Sequence, residues 1–143
     1  MTSNFKPAEI FEDLSLLSSE ELRSLVFEAS NFNDFFRQIV LVKCAIKKSK
    51  KEVSVLKSII DEALAYERPF KDPNWGNYDY YLYEIKKSIL SVKNELSLSE
   101  LKEVLIYLAE RAENDEVVGE FDEDGEWGLA IDDIKNHLFE LEK

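Results

Sequence analysis

Eleven carboxylates fall within the twenty-four residues from Glu110 to Asp133, and Arg111 is the only base among them. Such oxygen density suits two kinds of chemistry: holding a hard divalent cation, or presenting a negative surface to a basic partner. For a calcium loop, Gly125 would be the turn glycine, with Glu120, Asp122 and Asp124 at the first, third and fifth positions. The twelfth position, which supplies the bidentate carboxylate, is then Ile131, so the coordination set is incomplete. No metal site or cofactor is expected.

Nucleophilic catalysis has little to work with. His137 is the only histidine and Cys44 the only cysteine. Cys44 falls in the most apolar segment, where burial would raise its pKa and blunt its reactivity. The chain has no G-x-S-x-G, no glycine-rich phosphate loop and no H-E-x-x-H. The inventory therefore predicts a protein that is not an enzyme.

Charge placement narrows the partner. The net charge is −12. From Met1 to Lys93, fourteen acids balance fourteen bases, whereas from Asn94 to Lys143 sixteen acids face four bases. The whole excess belongs to the C-terminal third. That field repels nucleic acid and anionic lipid, and it accelerates encounter with basic proteins. The expected partner-binding residues are Glu113, Asp115, Glu116, Glu120, Asp122, Glu123, Asp124, Glu126, Asp132 and Asp133. Phe121, Trp127, Trp75 and Tyr80 are the aromatic anchors that charge alone lacks.

The elements that must carry these residues read as helices. Four glycines and three prolines in 143 residues leave few tight turns. The expected fold is an all-α single domain, 1–143, of about six to seven helices. They would pack as antiparallel hairpins in an irregular bundle or short array. Ser18–Glu21, Ser49–Glu52 and Ser97–Glu100 each have the spacing of a capping box and so mark three helix starts. Asn31 or Asn33 would cap the segment DFFRQIVLVKCAIKK, whose apolar residues on most sides predict a central helix, with a strand as the alternative. Asn77 would open a helix with Leu82, Ile85, Ile89 and Val92 in one stripe. Tyr80, Tyr81 and Tyr83 cannot all share that face. Residues 97–143 form an acidic hairpin, its last helix lined by Trp127, Ala130, Ile131, Ile134, Leu138 and Leu141. The lysines between Lys43 and Lys57 read as a solvated turn or an internal partner for acids.

The start MTSNFKPAEIFEDL lacks the pattern of a signal peptide, no apolar run approaches the ~20 residues of a membrane span, and the lone cysteine offers no disulfide framework. The expected compartment is the cytoplasm. In size, acidity and lack of catalytic residues, the chain resembles bacterial immunity proteins of contact-dependent inhibition and colicin systems. The resemblance implies a cognate basic toxin, such as a nuclease domain, held in a tight one-to-one complex. From the acidic field, no direct nucleic-acid or membrane partner is expected. The alternative is a non-catalytic helical interaction or self-associating module.

Overall fold

The structure, a computed structural model, describes residues 10–65, 78–115 and 126–142. Among them it is all-helical: α1 (Ile10–Asp13), α2 (Ser19–Phe32), α3 (Asp34–Lys48), α4 (Val53–Leu64), α5 (Tyr78–Leu90), α6 (Leu98–Glu113) and α7 (Glu126–Leu141), with 3-10 turns at Leu14–Leu16 and Lys93–Glu95. The β-branched run of α3 is helical. The chain divides into two compact units, residues 1–37 and 38–143.

In the first unit, Ser18 opens α2. Its hydroxyl accepts from the Glu21 amide at 3.1 Å, and the Glu21 carboxylate accepts from the Ser18 amide at 3.0 Å. This reciprocal pair satisfies two amides that the first helical turn leaves free. The same bonds hold the Glu21 carboxyl below its ordinary pKa, the Ser18 backbone amide contributing most. Asn33 accepts from the Phe36 amide at 3.0 Å and caps α3.

The second unit contains every buried apolar side chain of the described residues. Its centre is α6, which packs against α4, α5 and α7. Leu101, Val104, Leu105, Leu108, Ala109 and Ala112 are all buried along one broad face of it. Leu56, Ile60, Ala63 and Leu64 face inward from α4, and Leu82, Ile85, Ile89 and Val92 from the α5 segment. Large side chains buried in this way each stabilise the fold by about 1.5–3 kcal/mol. The Tyr81 ring is buried too. Its hydroxyl donates to the Ala63 carbonyl at 2.8 Å and accepts from Gln38 at 3.1 Å, so the polar tip is satisfied.

Three expectations need correction. The helix α3 is not central, and Cys44 is not buried. Only Ile39, Val42 and Ile46 are buried on α3, at i, i+3 and i+7. Cys44 lies about 200° around the helix from Val42 and is exposed. With Leu41, Ala45 and Ile59 it lines a shallow groove of about 390 Å³ between α3 and α4, with Lys48 and Glu62 also at its walls.

Ser49 and Glu52 do not form a capping box. Helix α4 starts at Val53 with Glu52 at its N-cap, and the Glu52 side chain makes no cap bond. Ser49 instead closes α3, its hydroxyl donating to the Ile46 carbonyl at 2.8 Å. The Lys51 ammonium donates to the carbonyls of Lys47 and Ser49 at 2.8 and 2.6 Å, a cation at the negative end of the α3 dipole. Reversing the chain between α3 and α4 takes Ser49 to Glu52, so the serine ends one helix rather than starting the next. Replacing Ser97 with alanine should lower unfolding free energy by about 1 kcal/mol, because its capping box is intact. Ser49→Ala should cost less than half of that. Urea unfolding of the two variants reads the difference, and equal losses would contradict the assignment.

Candidate functional site

The acidic hairpin is closed at its base by Trp127. The last carbonyls of a helix have no partner within it. The Trp127 indole N–H donates at 2.9 Å to one of these, Ala112 O of α6, which also accepts from the Asp115 amide just beyond the helix at 3.3 Å. The ring itself is 4% exposed, and Ala130, Ile131 and Ile134 follow it into the core. Trp127 therefore anchors the fold and has no free face for a partner, which corrects its assignment as a surface anchor.

The other expected site residues fall into three groups. Glu116, Glu120, Phe121, Asp122, Glu123, Asp124 and Trp75 lie outside the described residues, as does the Glu126 side chain. Glu113 pairs with Lys135 across α6 and α7, and Asp133 pairs with Lys86 of α5. Glu113 holds the Lys135 ammonium above its ordinary pKa, with a further contribution from Asp132. Asp132 is exposed, and Asp115 is half-buried. Tyr80 is 48% exposed, but its hydroxyl is engaged with Glu84; partial burial, then that carboxylate, push its pKa up.

The helix ends concentrate the negative charge. Glu110, Glu113 and Asp115 sit at the C-terminal end of α6, and Glu140 and Glu142 at that of α7. No base stands in the last turn of α7, and Arg111 is the one in the last turn of α6. Arg111 is directed away to α4, where its Nε donates to Asp61 at 2.8 Å. Carboxylates at a helix C-terminus oppose the dipole at about 0.3–1 kcal/mol each, so these acids do not serve helix stability.

Two clusters were missed in the sequence reading. Asp61 of α4 accepts from the Tyr107 hydroxyl at 2.6 Å as well as from Arg111. The Tyr107 bond, more than Arg111, keeps the Asp61 carboxyl below its usual range despite some desolvation. Lys57 lies 5.2 Å from the Tyr107 ring centre, adding a cation–π contact between α4 and α6. Glu84 of α5 is buried and reaches Lys43 of α3 at 2.7 Å and Lys87 at 3.2 Å. Burial opposes its ionisation, but the two ammoniums more than offset this, and its pKa lies below the ordinary 4.5. The available signal was spacing: Tyr81, Glu84 and Ser88 run at i, i+3 and i+7 beside the apolar stripe.

Among the described residues, no group of three or more His, Cys, Asp or Glu side chains is placed to hold a metal ion. Ile131, at the twelfth position of the calcium frame, is buried. No helix of the described residues is long and apolar enough to cross a membrane. Comparison with protein-family models, curated proteins and solved structures finds no match.

The clusters set an acid limit on stability. Glu84 has a lowered folded pKa, so its stabilising contribution is complete above about pH 4.5 and disappears as pH falls through the folded value. Thermal unfolding should show Tm falling on acidification through this range, and Glu84→Gln should make that fall shallower. Asp133→Lys should destabilise by about 1–2 kcal/mol by facing Lys86, while Asp132→Lys should change stability by less than about 0.5 kcal/mol. Equal urea midpoints for these two variants would remove the Lys86 pair from the fold's account.

Proposed function

We propose that the protein is a non-catalytic inhibitor of the immunity type. It binds a basic partner, a nuclease toxin domain, through the carboxylates of the α6–α7 hairpin and covers the partner's substrate site. The carboxylates take positions that nucleic-acid phosphates would occupy. The observation that carries this reading is the placement of Glu110 and Asp115 at the C-terminal end of α6, while Arg111 is directed to Asp61. Helix physics disfavours acids there, so their presence calls for a purpose outside the helix. Three of the expected contact residues are engaged within the fold instead: Trp127 with Ala112, Glu113 with Lys135 and Asp133 with Lys86 of α5. The exposed Glu110 and Asp132 are the better points of contact.

Electrostatic capture has a kinetic signature, because surface charges steer encounter and salt screens them. The immobilised chain should retain a basic protein from lysate at low salt and release it at several-fold higher salt. Mass spectrometry then identifies the partner. With the purified pair, Glu110→Lys combined with Asp132→Lys should slow association on the order of tenfold at low salt and leave the urea midpoint nearly unchanged. Association indifferent to both salt and charge reversal would overturn the electrostatic reading.

A further inference from the structure

The first unit raises a separate question. Between Ile10 and Arg37 no apolar side chain is buried, and Ser30 is the only buried residue. Yet α2 is strongly amphipathic. Leu22, Leu25, Val26, Ala29 and Phe32 recur at i, i+3, i+4, i+7 and i+10 and cover about 120° of its circumference. Leu25 is 50% exposed, Val26 39% and Phe32 91%. A fourteen-residue helix is marginal in water by itself, and a stripe of this kind is the face that a helix offers to an apolar groove.

Charge selects the occupant. Glu21 and Glu28 border the stripe along one edge, and Glu20 stands on the polar side. From Ile10 to Arg37 the chain carries six acids and two bases. A second copy fits poorly. Antiparallel pairing of two stripes would set Glu21 and Glu28 against their own counterparts, and the stripe spans about two heptads where a coiled coil needs three or four. Lipid fits poorly as well, since helices that lie in membrane interfaces are rich in Lys and Arg.

We propose that the α2 stripe is a docking element for a protein surface bearing an apolar strip edged with Lys or Arg. The five apolar residues enter the strip. Glu21 and Glu28 meet the basic edge, and the partner covers the stripe that is exposed among the described residues. This surface stands independently of the α6–α7 carboxylates, because it rests on apolar contact and on a different part of the chain.

The test uses the full-length protein and an idealised amphipathic helical peptide of leucine and lysine as the probe. Its counterpart with glutamine in place of lysine is the control. Isothermal titration should show binding of the Leu–Lys peptide and much weaker binding of the Leu–Gln one. Leu25→Asp with Val26→Asp should raise Kd about a hundredfold even though it adds negative charge. Both positions are exposed, and circular dichroism checks that helix content persists. Glu110→Lys with Asp132→Lys should leave the affinity within about twofold, which separates failure here from failure of the inhibitor reading. An unchanged Kd in the Asp variant would overturn the proposal. So would a low-micromolar dimer in sedimentation that the Asp variant abolishes, or stripe-dependent binding to phosphatidylcholine vesicles in preference to the peptide.

Discussion

The second unit turns on one bond, that between the Trp127 indole and the Ala112 carbonyl. A carbonyl at the end of a buried helix costs stability unless something donates to it, and an indole in a core costs stability unless its N–H is satisfied. The Ala112 carbonyl, which also accepts from the Asp115 amide at 3.3 Å, satisfies the indole, and the bond brings the ends of the acidic connection to one place. The entropy of closing a connection of this length grows only slowly with length, so the burial of Trp127, Ala130, Ile131 and Ile134 outweighs it. The C-terminal end of α6 can therefore carry an unfavourable charge density because the packing beside it is apolar and its polar groups are satisfied.

Charge compensation elsewhere follows contacts between helices rather than sequence neighbourhood. Lys57 of α4 meets Glu103 of α6, Lys86 of α5 meets Asp133 of α7, and Arg111 of α6 meets Asp61 of α4. These pairs join the neutral part of the chain to the acidic part, and each ties one packed helix to another. None is deeply buried on both sides, so their value lies in fixing register more than in energy. Glu84 differs because it is buried and held by two ammoniums; removing either would leave a carboxylate short of compensation in the interior.

The fold class was legible because three kinds of signal agreed: few turn residues, apolar periodicity near 3.6, and capping spacing. The stripe of α5 emerges from that periodicity residue for residue, and in α7 its first four members, Trp127, Ala130, Ile131 and Ile134, are buried. The capping spacing was less reliable, since Ser18, Ser49 and Ser97 look alike in sequence and only the first and last start a helix. What separates them is the need for residues to turn the chain after α3, a tertiary demand that spacing does not encode. Cys44 was misplaced because overall apolarity stood in for angular position; its angle from Val42 already put it outside. Trp127 was read both as core and as anchor, and the indole's partner, a backbone carbonyl, leaves no trace in sequence. The site was less legible than the fold. Surface charge shows a sign and a density, while the pairings that remove Glu113 and Asp133 from free display depend on which helices meet.

The lack of a buried apolar side chain among the described residues from Ile10 to Arg37 shapes how the chain melts. The second unit has a shared core and should unfold as one cooperative block. Helix α2 has a capping box and little else, so its order follows the helix–coil balance of a short peptide, fading gradually with temperature. Heating then produces a sloping loss of ellipticity before the main transition. Amides of α2 exchange with solvent on a timescale set by local fraying, far ahead of those in α6. A protease should meet the same hierarchy and cut within α2 sooner than within α6.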